Sequence, residues 1–286
     1  MIRHTFCHLS GIGPKTELQL WEMGYLAWDD LPEVGLPPRL ASLPRRIEES
    51  REALVERDWN HFRRLCSGCH AWRWFDTLRD RVLYLDIETT GDPPGFDSIT
   101  AIACYDSREA RCFVRDVDLG EFPYYVRDFD LLVTYNGATF DVPQLRAHFP
   151  RLWLPPVHLD LRYPLRSLGY RGGLKQIEQT TGLAREDGLQ GVDGWMAVLL
   201  WHRHLAGDQR ALPTLTRYAI EDVLALEPLA ELVYNRLSKP LPVPAPILGP
   251  TPRRQLELPY SLELLLEMQG ELARARTFTA PVPFGW

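Results

Sequence analysis

No apolar run in these 286 residues approaches the roughly 18–20 that cross a bilayer, so no membrane-spanning helix is expected. The opening MIRHTFCHLSGIGPK has no apolar core. A secretory leader is therefore not expected, and a cytoplasmic location is. Cysteine is scarce and odd in number, five in all, which argues against a disulfide framework. Cys66-Ser67-Gly68-Cys69 has CxxC spacing but no second pair, and only Cys7 and His8 stand as distant partners for a zinc. No strand precedes it, so a thioredoxin-like motif is excluded, and the two residues read as a plain semi-buried pair. Positive charge is also short. A net charge of −6 excludes a broadly basic nucleic-acid coat, though Arg39–Arg81 carries ten arginines against seven acids. No repeat of 20–50 residues is visible.

What is present divides into four stretches. Residues 1–38 hold the glycine turn Ser10-Gly11-Ile12-Gly13-Pro14-Lys15 and a short helix over Lys15–Met23 that stops at Gly24. Residues 39–79 read as a helical connector, with Ile47, Leu54 and Val55 at helical spacing. Within 80–238, strands are expected at Arg81–Asp86, Ser98–Tyr105, Ala110–Arg115 and Leu131–Tyr135. Helices are expected at Val142–Phe149, Leu174–Thr181, Trp195–His204 and Leu215–Leu237. Strands followed by helices make a layered α/β domain. Residues 239–286 form a Pro-rich tail, with six prolines between Pro240 and Pro252 and an amphipathic stretch at Ser261–Ala275; it is expected to dock loosely or to be partly disordered.

The chemistry lies in acids that recur in one order. Asp86 and Glu88 end the first strand at i, i+2, which puts both carboxylates on one face. Asp141 follows Tyr135-Asn136-Gly137-Ala138-Thr139-Phe140, where a helix begins, so it is also a natural helix cap. Tyr218 and Asp222, at i, i+4, share a helix face. Glu221 points about 100° away and competes with Asp222 as a ligand. Four convergent acids need cations, and hard oxygen ligands select Mg²⁺ or Mn²⁺. A pair of such ions about 3.5–4 Å apart is the recurring apparatus for cleaving phosphodiesters.

Leu85-Asp86-Ile87-Glu88-Thr89-Thr90-Gly91, Tyr135–Asp141 and Tyr218-Ala219-Ile220-Glu221-Asp222 together resemble the three motifs of the DEDD superfamily of 3′–5′ exonucleases. The third is similar to the tyrosine (DEDDy) version; Arg217 stands where the histidine version would need histidine. The likeness covers about Arg81 to Leu237 and is greatest to YprB-type bacterial ribonuclease H-like proteins, which Gly173-Leu174-Lys175-Gln176 and Asp193-Gly194-Trp195 also fit. It implies a ribonuclease H-like mixed sheet flanked by helices. It implies two metal ions, Mg²⁺ or Mn²⁺, held by Asp86, Glu88 and Asp222, with Asp141 acting through one ion or its waters. Tyr218 would hold the attacking water, and backbone around Thr89 and Thr90 would meet the 3′-hydroxyl. Nucleoside monophosphates would be released from nucleic-acid ends.

Asn136, Phe140, Lys175 and Arg171 are further candidates for substrate contact. Asp160 is expected to begin a short strand, as a cap or near the substrate. Gly11, Gly13 and Lys15 resemble half of a helix-hairpin-helix module, in which backbone N–H groups meet a DNA phosphate. That small all-α unit is the reason to favour DNA over RNA. Two other readings stay open: a catalytically inactive nucleic-acid binding or scaffold protein, and a structure-specific endonuclease.

Overall fold

The computed structural model describes residues 1–92, 98–183, 194–252, 254, 256 and 258–278. Asp193 and the end of the tail, 279–286, lie outside the described residues. Five strands form one mixed sheet: β1 (Val82–Thr89), β2 (Ile99–Tyr105), β3 (Ala110–Val114), β4 (Leu131–Thr134) and β5 (Val157–Asp160). Their order is β3-β2-β1-β4-β5. The two pairings on the β3 side of β1 are antiparallel and the two on the β5 side are parallel. Helices α1 (Pro14–Glu22), α2 (Leu43–Glu56) and α3 (Phe75–Leu78) precede the sheet. α4 (Phe122–Tyr125) and α5 (Asp141–His148) lie in its connections. After β5 come α6 (Arg162–Ser167), α7 (Leu174–Thr181), α8 (Gly194–Leu205), α9 (Ala211–Leu224), α10 (Leu226–Ser238) and α11 (Leu262–Phe278).

The alternation of β1 decides what each face of the sheet does. Leu83, Leu85 and Ile87 point into an apolar cluster with Phe113, Phe122 and Leu145. Val82 and Tyr84 point the other way, into a cluster with Val223, Leu229 and Tyr234 from α9 and α10. The period of two therefore carries Asp86 and Glu88 to the α9 side, and α9 packs on β1 and β2. Burying both faces of the sheet this way is the main stabilising term, at about 25 cal/mol per Å² of apolar surface.

Several elements differ from expectation. β1 runs on to Thr89, with a register shift between Glu88 and Thr89 opposite β2. Leu215–Leu237 is not one helix but α9 and α10, meeting at Ala225. Pro228 lacks an N–H and its ring crowds the Leu224 carbonyl, so the helical ladder is interrupted there. The connector helix ends at Glu56, because Arg57 takes a left-handed conformation at φ 58°. Asp160 ends β5 rather than beginning it, paired with Thr134.

The first eighty residues share a core with the sheet. Phe6, Trp28, Phe62 and Trp74 are buried in the same cluster as Tyr84 and Tyr234. Buried Glu17 accepts from the N–H groups of Phe6 and Cys7 and pairs with Arg73 at 2.9 Å. One α-helix, α1, forms in residues 1–38, preceded by a 3-10 turn at Ile2–His4. The described part of the tail docks firmly. The Asn235 amide bonds both backbone groups of Leu248, and Leu264, Leu265 and Met268 are buried against Trp201 and Leu215. Among the described residues no helix is long and apolar enough to cross a membrane.

Candidate active site

Asp86, Glu88 and Asp222 each present a carboxylate oxygen, and the three oxygens lie within 4.8 Å of one another. Among the described residues this is the one group of acids, histidines or cysteines placed to hold a metal ion. Cys7, Cys66, Cys69, His8 and His70 form no such group. Burial pushes the Cys7 and Cys66 thiols up to about 12, while Cys69 is exposed. The three acids line a cleft of about 430 Å³ with Thr89, Gly91, Asp92, Phe140 and Tyr218. Trp195 and Val198 of α8 form its apolar wall.

α9 explains the third acid. Tyr218 and Asp222 sit one turn apart on the face turned to β1, and both are buried. Glu221 belongs to another face, where it pairs with Arg217 at 2.7 Å. Arg217 also donates to the carbonyls of Leu256 and Leu258, so this ion pair ties the tail to α9. Lys175 was expected at a phosphate. Its ammonium donates to the Tyr218 hydroxyl at 2.6 Å and lies 4.4 Å from the ring centre. A cation so placed stabilises negative charge on the phenol oxygen.

Asp141 does not join the three acids at that spacing. It is the first residue of α5 and 2% exposed, and its buried Oδ1 has no hydrogen-bond partner. Burial pushes its carboxyl up to about 7, and the charge of Asp160 pushes the same way. Asp160 itself is committed to the chain. It accepts from the N–H groups of Asn136 (2.7 Å), Ala138 (3.0 Å) and Arg162 (3.1 Å), which fixes the loop that leads to Asp141. At Gly137 in this loop, a Cβ would fall 2.3 Å from the Thr134 hydroxyl oxygen.

The other expected contacts scatter. Thr89 and Phe140 line the acid cleft, whereas Asn136 lines a separate pocket. Thr90 is bound into the turn, its N–H on the Ser98 carbonyl. Gly11, Gly13 and Lys15 lie in the N-terminal turn, where Gly11 has φ +80° and Arg46 donates to the Ser10 carbonyl at 2.7 Å. Neither described cleft near the acids includes them. Sequence reasoning did not assign Val198 or Asp92, and it used Trp195 only as a motif residue. An aromatic at the start of an apolar helix reads as core, yet Trp195 is 56% exposed.

The model of the RNase H superfamily matches residues 83–234, just over half of the chain. The chain belongs to that superfamily. Its ribonuclease H-like sheet, with Asp86 and Glu88 on the central strand, is the arrangement the three motifs led one to expect. Solved structures with a similar fold include the family B DNA polymerase of the archaeon Pyrobaculum calidifontis (20% identity, TM-score 0.43, 56% of this chain and 24% of that one). RNase D of Escherichia coli, described as an exoribonuclease of structured RNA processing, is 16% identical (TM-score 0.39, 62% and 46%). The EXO domain of Aedes aegypti Nibbler is 11% identical (TM-score 0.41, 63% and 89%). The chain thus spans about a quarter of the polymerase. No curated protein matches.

Proposed function

We propose that this RNase H superfamily member is a divalent-metal-dependent 3′–5′ exonuclease of the tyrosine DEDD subclass and YprB type, releasing nucleoside monophosphates. One observation carries the reading. Carboxylate oxygens of Asp86, Glu88 and Asp222, from a strand and a helix some 130 positions apart, lie within 4.8 Å of one another beside Tyr218. The donor set fits the metal. It is all oxygen and it gathers like charges that repel without a cation, and Asp141, at the start of α5, keeps a buried carboxylate oxygen with no hydrogen-bond partner. Asp86, Glu88 and Asp222 would hold Mg²⁺ or Mn²⁺, with Asp141 contributing through a water. When bound, such ions lower the pKa of water and stabilise charge on the leaving oxygen.

The remaining roles fall to the chain. Tyr218, its oxygen held by Lys175, orients the attacking water and polarises it. Phe140 and Trp195 bound the cleft and offer ring surface to the terminal base. Thr89, at the register shift and in the cleft wall, presents backbone to the 3′-hydroxyl, while Thr90 holds the turn beside it through its N–H on the Ser98 carbonyl. DNA is favoured over RNA by the resemblance of the Gly11–Lys15 turn, with Gly11, Gly13 and Lys15, to half of a helix-hairpin-helix module; Arg46 donates to the Ser10 carbonyl at its start.

A 5′-labelled single strand incubated with Mn²⁺, Mg²⁺ or EDTA tests the reading. Stepwise shortening from a free 3′ end with either ion, none with EDTA and none with Asp86→Ala is the expected result. Binding without turnover would sink it in favour of a scaffold. Cutting of a circular strand would replace it with an endonuclease.

A further inference from the structure

A second pocket, of about 460 Å³, opens at the same end of the sheet and has the opposite character. Tyr135, Asn136, Arg162, Arg166, Tyr170 and Arg171 surround it, with Gly172 and Gly173 completing the wall, and no acid lines it. Arg162 and Arg166 are i, i+4 on α6 and so share a face. Among the described residues none of the three arginines makes an ion pair. The Arg162 guanidinium is held by a neutral acceptor, the Asn136 side-chain oxygen, which fixes its direction, while the Asp160 carboxylate takes the Arg162 backbone N–H. The pocket is also built rather than incidental. The Tyr135 hydroxyl donates to the Gly172 carbonyl, and Gly172 sits at φ +109°, where a Cβ would meet the Gln176 side chain at 2.0 Å.

Its position gives it a purpose. The loop Asn136–Phe140 begins in this pocket and ends in the acid cleft. Gly173 lies two residues before Lys175, whose ammonium donates to the Tyr218 hydroxyl, so a short stretch of chain links the two sites. Three exposed guanidinium groups with two tyrosine rings are the chemistry that holds a phosphodiester backbone and stacks a base.

We infer that the Arg162–Arg166–Arg171 pocket is a holding site for phosphates of a single nucleic-acid strand whose end lies in the acid cleft. The inference rests on the nuclease reading for its orientation but not for its test. Binding of a labelled single-stranded oligonucleotide to full-length Asp86→Ala protein is followed by anisotropy across a salt series, so no hydrolysis is needed. With Arg166→Glu and Arg171→Glu added, the slope of log Kd against log salt is expected to fall by about 0.7 per arginine, with weakening of roughly tenfold or more. Arg166→Lys with Arg171→Lys should keep most of the slope, and a mononucleotide should bind alike to both proteins. An unchanged slope overturns the inference, as does equal loss of mononucleotide binding, or loss of an acidic peptide's binding with the strand unaffected. Failure of the unsubstituted protein to hydrolyse anything would instead sink the nuclease reading and leave the slope to be judged by itself.

Discussion

The acid cleft and the arginine pocket share a loop, yet they gather opposite charge for different structural reasons. In the cleft, Asp86, Glu88 and Asp222 come from β1 and α9, elements far apart in the chain, and are brought together by packing across the sheet. In the pocket, Arg162, Arg166 and Arg171 come from ten consecutive positions and meet through local helix and turn geometry. Two neighbouring acids are bound into the structure, Asp160 by three backbone N–H groups and Glu221 by Arg217, whereas the buried Asp141 Oδ1 has no hydrogen-bond partner.

The sharpest way to break the comparison is Asp86→Ala or Asp222→Asn. Either should lower hydrolysis by about a thousandfold or more, while the melting temperature of the metal-free protein holds or rises as repulsion is relieved. A thermal scan beside the cleavage assay reads both. Asp160→Ala comes next, because it unties the loop that the two sites share. Three partly buried N–H groups lose a charged acceptor, and denaturant unfolding should show a loss of about 1–3 kcal/mol. Tyr218→Phe isolates the cleft alone. It removes the oxygen that Lys175 grips, and kcat is expected to fall about 10–100-fold with KM little changed.

The smallest effect is a control remote from both sites. Burial holds the His8 imidazole down at about 3, with His61 adding to the shift, and its Nε2 lies 2.8 Å from the Ser50 hydroxyl. Below pH 6.5 the unfolded chain takes up a proton there that the folded chain refuses. Stability present above that pH is therefore lost as pH falls toward 3, at no more than about 1.4 kcal/mol per pH unit. His8→Gln should flatten this slope without changing cleavage; an identical slope would show that His8 is not its source.

Much of the sheet was readable. The spans of β2, β3 and α7 came from apolar runs and turn residues, and the i, i+2 spacing put Asp86 and Glu88 on one face. The α9–α10 break was signalled by Pro228 but hidden by a continuous apolar period. The Lys175–Tyr218 contact and the exposure of Trp195 had no local signal, since both depend on how α7 and α8 approach α9. Arg162 and Arg166 belong to no motif and were not singled out in the sequence. Only the pocket around them, lined by no acid and with Asn136 holding one of them, distinguishes them from ordinary surface charge.

The sequence determined which residues were available for chemistry and their order, because motif spacing and side-chain period are properties of the chain itself. Tertiary structure decided which acids meet: Asp222 reaches Asp86 only because α9 crosses the face of β1 that Val82 and Tyr84 bury, whereas Asp141 stays behind at the start of α5. Distance between charges is set by packing, and no pattern along the chain encodes it.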